Sequence, residues 1–284
     1  MEIFDGIYNL IGVVLPFEWA QHIFMKNAIL AICITTPLFG MLGVMIINNK
    51  MAFFSDSIGH GAFTGIAIGS LLGSTMPIWS AAVFSVIFAI GITVVKNKSK
   101  NSPDTIIGVF SATAVALGLI IMSISGNQAQ ISAYLIGDLL SITPLEISLL
   151  LMVLVIVAII WNFIFNSLLI ISINPSLARS RKINTNLNEI IFTTALAVVV
   201  SITIQWVGLL IINALLIVPA ASARNVSNNI RQYHFLSIIF SLFSGFIGLF
   251  LSYEFNTVSG ATIVIVLALI FFTTLIIKNQ RNHI

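Results

Sequence analysis

Runs of about twenty apolar residues recur from one end of the chain to the other, and short polar connections separate them. A helix needs about 20 apolar residues to cross the hydrocarbon of a bilayer. The pattern therefore predicts an all-α fold, a polytopic transmembrane helical bundle of about eight to nine spans. The candidate spans are 26–48, 56–74, 76–96, 104–124, 144–168, 189–205, 207–225, 234–252 and 258–277.

Three stretches of this pattern need separate interpretation. The stretch 189–225 is long enough for two short spans with a turn at Gln205–Gly208, although one bent helix would fit the same pattern. The stretch 125–143 is too polar and too short to cross, so we expect a surface helix or loop there. A signal peptide would begin with Lys or Arg, whereas segment 1–22 begins with acidic residues. We therefore expect this segment to be retained as an extracellular or interfacial helix.

The composition restricts the function to the membrane. Hydrophobic residues make up 58% of the chain and charged residues 7%, whereas soluble domains contain about 25% charged residues. No polar connection is long enough to fold around a core of its own, so we interpret residues 1–284 as one integral-membrane domain. Cys33 is the only cysteine, which excludes disulfides within the chain and cysteine-based metal clusters.

The basic residues support the layout of nine spans and orient it. If the spans alternate, eleven of the twelve Lys and Arg residues fall on one face, and only Lys26 lies opposite. Lys and Arg collect on the cytoplasmic side of membrane proteins, so we expect the N-terminus outside and the C-terminus in the cytoplasm. The opposite face carries mostly acidic residues, which suits the passage of a cation. The eleven basic residues are Lys50, Lys96, Lys98, Lys100, Arg179, Arg181, Lys182, Arg224, Arg231, Lys278 and Arg281.

Asp56 and His60 are the clearest candidates for chemistry within the spans, where ionisable side chains are costly and seldom kept without a role. Their spacing of four places both on one face of a helix, with Thr64 one turn further along. A carboxylate and an imidazole together suit zinc, manganese or ferrous iron. The alternative is structural: Asp56 would cap the helix N-terminus and His60 would be a hydrogen-bonded interior histidine.

The same helix carries Gly61, Gly65 and Gly69 at steps of four, a spacing typical of close helix packing in membranes. This helix should therefore lie centrally in the bundle. Other polar residues within spans, such as Asn213 and Gln205, we interpret as interhelical hydrogen-bonding groups and not as ligands.

The longest connection on the basic face, 171–189, contains a Pro175 helix start and a small amphipathic segment. By composition alone it is a solvated basic loop. In a transporter powered by another subunit, a short helix on this face would transmit motion, and this segment is the best candidate. None of the seven lysines follows a glycine, so the P-loop signature is missing and we expect no ATP hydrolysis by this chain.

Six segments in order resemble the metal-type permease subunits of bacterial ABC importers, which take up zinc, manganese or iron. The resemblance extends over nearly the whole chain. Six matching segments in the order of the family are specific evidence for it, whereas a single segment would be weak evidence. The segments are MAFFSDSIGHGAFTGIAIG (51–69), PDTIIGVFSATAVALGLI (103–120), YLIGDLLSIT (134–143), NPSLAR (174–179), VGLLIINALLIVPAASAR (207–224) and YEFNTVSGATIVIV (253–266).

This resemblance implies a type II ABC importer permease fold and a homodimer in the bacterial cell membrane. It also implies a separate ATP-binding subunit and an extracellular metal-binding protein as partners, and no contact with nucleic acid. The cargo would be a divalent metal ion, zinc first and manganese or iron as alternatives, with no permanently bound cofactor. Asp56 and His60 match the Asp and His that line the metal pathway of the family.

The resemblance further implies that segment 174–188 is the coupling helix that docks on the ATPase. The residues expected to make this contact are Pro175, Leu177, Ala178 and Arg179. One departure is Gly61-Ala62-Phe63-Thr64, where many relatives carry a small residue, aliphatic residues and Pro, and this difference bears on the metal preference.

Other functional classes fit the residues less well. A proton- or sodium-coupled secondary cation transporter usually keeps more than one carboxylate within its spans, whereas here Asp56 is alone. An intramembrane metalloprotease would need a fuller ligand set than this sequence offers, and the HExxH motif is missing. An importer of vitamin B12 or siderophores would need a wide channel without metal ligands.

Overall fold

A computed structural model describes residues 2–14, 17–74, 76–126 and 134–282 of the protein. The described residues are helical or lie in short connections, and no strand occurs among them. The helices are α1 (Glu2–Val14), α2 (Glu18–Gln21), α3 (Ile23–Asn48), α4 (Ala52–Leu71), α5 (Pro77–Lys98), α6 (Pro103–Ser125), α7 (Pro144–Ile173), α8 (Pro175–Ser180), α9 (Thr185–Val207), α10 (Leu209–Val226), α11 (Ile230–Phe255) and α12 (Ser259–Asn282).

Each of the nine predicted spans corresponds to one long helix, so the predicted all-α bundle is confirmed. In the part of the chain that the structure describes, eight helices are long and apolar enough to cross a membrane. The ninth, α4, is less apolar because it carries the glycine steps together with Asp56 and His60. Most of its residues are buried among neighbouring helices, so only a small part of α4 can contact lipid.

The stretch 189–225 forms two helices, α9 and α10, which confirms the first of the two interpretations. Gly208 separates them in a left-handed backbone conformation, with φ of +88°. A Cβ atom on Gly208 would also lie 2.2 Å from the carbonyl oxygen of Ile136. Only glycine satisfies both conditions, so the chain breaks here and does not continue as one bent helix.

The long helices alternate in direction, as the pattern of basic residues requires. At one end, the ion pair between Lys96 and Glu189 joins α5 to α9, and Asn225 lies 3.4 Å from both Thr274 and Lys278, which joins α10 to α12. We call this end, where α3 passes into α4 at Lys50, the basic end. We call the opposite end of the bundle, where the sequence places most of the acidic residues, the acidic end.

At the acidic end, α1 lies against α3. The hydroxyl of Tyr8 donates to Asn27 Oδ1 at 2.6 Å, and Asn27 Nδ2 donates to the carbonyl of Ile142 at 3.1 Å. With 13 residues, α1 is too short to span a bilayer. Helices α1 and α2 both lie within segment 1–22, and the extracellular or interfacial position of this segment stays a prediction. Of the predicted surface segment 125–143, residues 127–133 lie outside the described residues.

The glycine steps of α4 face α5. A Cβ atom on Gly65 would lie 2.6 Å from the Cα atom of Ala81, and one on Gly69 would lie 2.0 Å from the side-chain oxygen of Ser80. A larger residue at either position would push the two backbones apart. The small-residue stripe therefore allows close packing, and it confirms the central position that the sequence predicts for this helix.

Candidate metal site

Asp56 lies inside helix α4 and does not cap it. The helix begins at Ala52 and its N-cap position is Met51, so Asp56 is the fifth helical residue. A capping side chain accepts hydrogen bonds from the amide groups of the first helical turn, which follow the N-cap residue. Asp56 comes after that turn and is not in a position to cap it. The capping interpretation of Asp56 is therefore wrong, and the carboxylate needs another partner.

That partner is His60, one helical turn further along. The Nε2 atom of His60 lies 3.5 Å from Oδ2 of Asp56, as the spacing of four predicts. The side chains remain 26% and 44% exposed respectively, on a helix whose other faces are almost entirely buried. An oxygen and a nitrogen donor thus meet on the open face of α4, where an ion could reach both.

The donor set of one chain is small. Among the described residues, no group of three or more His, Cys, Asp or Glu side chains lies close enough to hold a metal ion. Two protein ligands are too few for an ion such as zinc, which takes four. A site at Asp56 and His60 needs water, other oxygen donors or a second copy of the chain to complete it.

The helix that carries the pair is held from the α6 side by Thr64. Its buried hydroxyl lies 2.6 Å from the carbonyl oxygen of Ala114 and 3.0 Å from that of His60. The glycine at position 118 of α6 permits this approach, because a Cβ there would lie 2.9 Å from the ring of Phe63. Thr64 therefore anchors α4 to α6.

On its other side, α4 meets α10 through Ser55 and Asn213. The hydroxyl oxygen of Ser55 lies 2.5 Å from Oδ1 of Asn213, so Asn213 makes an interhelical hydrogen bond as the sequence predicts. Sequence reasoning missed its partner, which is the residue next to Asp56. The signal in the sequence is Ser55, a polar residue immediately before the candidate ligand Asp56. Its partner Asn213 lies 158 positions away, so the sequence does not reveal the contact.

The predicted coupling segment contains the short helix α8. Its N-cap is Asn174, whose side-chain oxygen accepts from the amides of Ser176 and Leu177 at 3.0 and 3.2 Å. Pro175 and Arg179 are exposed, and Leu177 is 44% exposed. Ala178 is completely buried, so it holds α8 against the bundle and offers no surface to a partner.

A cavity of about 260 Å³ opens at the basic end beside α8. It is lined by the α3–α4 connection at Lys50 and Met51, by Pro175 at the start of α8 and by Glu189 at the start of α9. The short helix α8 and the start of α4 therefore border the same space.

The sequence profile of the ABC 3 transport family matches residues 21–278. The chain belongs to the ABC 3 transport family. The match covers all nine long helices except the end of α12, together with Asp56, His60 and segment 174–188. This ABC 3 member is therefore a membrane transport component.

Named relatives of this ABC 3 protein include transport proteins for two metals. It is 29% identical to the manganese transport system membrane protein MntC of Listeria monocytogenes, over 92% of the chain and 93% of the relative. It is 31% identical to the high-affinity zinc uptake system membrane protein ZnuB of Haemophilus influenzae, over 87% and 93%. The fold matches PsaBC from Streptococcus pneumoniae in complex with Fab, with a TM-score of 0.79, 29% identity and coverage of 89% and 91%.

Proposed function

We propose that this chain is the membrane-spanning permease subunit of an ATP-driven importer for a divalent transition metal ion. The observation that carries the proposal is the Asp56 and His60 pair, 3.5 Å apart on the open face of an otherwise buried helix. Membership of an ABC transport family supports the ATP-driven mechanism, and relatives named for manganese and zinc support the class of cargo.

A second copy of the permease would complete the metal site. Two chains related by a twofold axis would bring together two carboxylates and two imidazoles, which carry no net charge once a divalent ion is bound. Such a site should hold the ion weakly, since an importer must release its cargo. Asp56 and His60 taken alone favour zinc, in line with the expectation from the sequence.

The orientation follows from the charges. The basic end faces the cytoplasm of a bacterial cell, with the N-terminus outside and the C-terminus inside. A separate ATP-binding subunit docks there, against α8 and its exposed Leu177 and Arg179. An extracellular metal-binding protein delivers the ion to the acidic end. In this arrangement the permease itself is not an enzyme, because hydrolysis of ATP occurs on its partner.

The test is uptake by the reconstituted complex of permease, ATP-binding subunit and metal-binding protein in vesicles. We expect accumulation of manganese or zinc that requires ATP on the side of the ATP-binding subunit. Accumulation should persist when ionophores collapse the proton and sodium gradients. Metal uptake that a proton or sodium gradient drives in the absence of ATP would instead establish a secondary cation transporter.

A further inference from the structure

The hydroxyl of Ser55 lies between two oxygen atoms. Ser55 is completely buried, and its Oγ atom lies 2.8 Å from the carbonyl oxygen of Ala52 and 2.5 Å from Oδ1 of Asn213. A serine hydroxyl carries one proton, so it cannot donate to both oxygens at once. One of these two short contacts must therefore have a different donor.

The side-chain amide of Asn213 resolves the conflict. The oxygen and nitrogen ends of an asparagine amide have nearly the same shape, and the hydrogen-bond network decides their assignment. With Nδ2 of Asn213 directed at Ser55, the amide donates to the hydroxyl and the hydroxyl donates to Ala52. Every short contact then has a donor and an acceptor. This assignment directs the Oδ1 atom of Asn213 away from Ser55, and that end of the amide has no hydrogen-bond partner in the part of the chain that the structure describes.

Asn213 contacts the residue that immediately precedes Asp56. Ser55 and Asp56 are consecutive residues, and Asn213 is only partly buried on the first turns of α10 after Gly208. The two helices approach closely here, because a Cβ atom on Gly59 would lie 2.8 Å from the side chain of Leu209. Because consecutive residues of a helix point about 100° apart, α10 packs on the face of α4 next to the open face that carries Asp56 and His60.

We propose that Asn213 supplies an amide oxygen to the ion as it passes Asp56 and His60, and that this oxygen favours manganese over zinc. The inference rests on the proposed function. Each chain then offers two oxygen donors and one nitrogen donor, and two chains offer four oxygens and two nitrogens. Six mainly oxygen ligands suit manganese, whereas zinc takes four ligands and prefers nitrogen and sulfur.

The experiment measures manganese and zinc uptake by the reconstituted complex, each metal alone and both in competition. In the Asn213→Leu variant, which keeps the size of the side chain and removes its oxygen, we expect the manganese-to-zinc uptake ratio to fall about tenfold, the scale on which supporting polar groups act at metal sites. Loss of folding or assembly would lower both uptakes equally and leave the ratio unchanged. Asn213→Ser serves as a smaller polar replacement, and its shorter side chain should lower the ratio in the same direction.

The matched control is Asn225→Leu, which removes a polar interhelical contact from the same helix at the basic end. It should leave the ratio unchanged. An unaltered ratio in both variants at position 213 would overturn the inference and reduce Asn213 to a packing contact. Failure of the proposed function gives a different result: Asp56→Asn would then leave the uptake of both metals at the level of the unaltered protein.

Discussion

At the scale of single residues, Asp56 is the side chain that most needs an explanation. An aspartate costs about 3 kcal/mol at the centre of a membrane helix on insertion scales, and Asp56, in the second turn of α4 and partly exposed, bears a part of that cost. Asp56 neither caps α4 nor pairs with a Lys or Arg among the described residues, and its close neighbour is the His60 ring. A carboxylate kept at this cost on an open face is better explained by its cargo than by the stability of the fold.

Substitutions can separate the role of Asp56 and His60 in transport from any role in folding. Asp56→Asn keeps the shape of the side chain and removes its charge, and His60→Ala removes the imidazole. Because both side chains are partly exposed, we expect normal insertion and loss of metal-dependent uptake of at least about tenfold. Uptake of radioactive metal at matched membrane abundance measures this. Asp104→Asn, which removes an exposed carboxylate from the start of α6, is the control and should transport normally.

At the scale of helices, the packing of α4 on α5 fixes where the metal pair lies. Gly65→Ala would place a Cβ atom 2.6 Å from Ala81 Cα and 2.8 Å from the carbonyl oxygen of Ser80. Both atoms are backbone and cannot rotate away, so we expect a loss of about 1–3 kcal/mol in stability. The midpoint of thermal unfolding in detergent measures the effect.

Gly108→Ala is the matched control, because no atom lies within 4 Å of a Cβ atom at this position in α6. The added methyl group should leave the midpoint unchanged or raise it, since alanine favours a helix over glycine. Equal midpoints for the variants at positions 65 and 108 would contradict the close packing of α4 and α5.

The short helix α8 is the second element whose role can be tested. Leu177 is exposed, so Leu177→Asp should leave the fold intact and weaken an apolar contact with the ATP-binding subunit. We expect loss of co-purification with that subunit and loss of uptake, while the permease stays in the membrane. Leu145→Asp, at an exposed position at the acidic end, should co-purify normally. Retention of the ATP-binding subunit by the Leu177 variant would exclude α8 as its docking site.

At the scale of the whole molecule, the spans could be predicted because membrane-crossing helices leave a local signature of about twenty apolar residues. The glycine steps of α4 are visible in the sequence, whereas the stretch around Gly208 fits two spans or one bent helix there, because the close approach of Gly208 to Ile136 joins residues far apart along the chain. The sequence pattern begins the corresponding span at residue 56 and not at Ala52, so it leaves capping by Asp56 open as an alternative to metal binding. The contact between Ser55 and Asn213 depends on packing between helices far apart in the chain, and the burial of Ala178 depends on how α8 folds against α7 and α9, and neither is encoded in a local pattern.

The direction of the chain in the membrane gives a further prediction. The positive-inside rule places Lys100 in the cytoplasm and Leu145, at the acidic end, outside. In a Cys33→Ser background, Lys100→Cys should react with a membrane-impermeant thiol reagent only after the cells are opened. Leu145→Cys, which is highly exposed, should react in intact cells. The reverse pattern of labelling would show that the orientation is the opposite of the predicted one. The basic end, where the ATP-binding subunit is proposed to dock, would then lie outside the cell.

The twofold arrangement is the last prediction, because a complete metal site depends on it. If two copies of Asp56 approach one ion, then Phe53, which lies on the same face of α4 one turn earlier and is 68% exposed, must also lie near its own copy. In the Cys33→Ser background, Phe53→Cys should therefore form a cross-linked dimer with a bifunctional thiol reagent. Val83→Cys, equally exposed on α5, should remain a monomer. A cross-link at position 83 without one at position 53 would move the interface away from α4, and the metal would then have to pass each chain separately with the ligands of one copy.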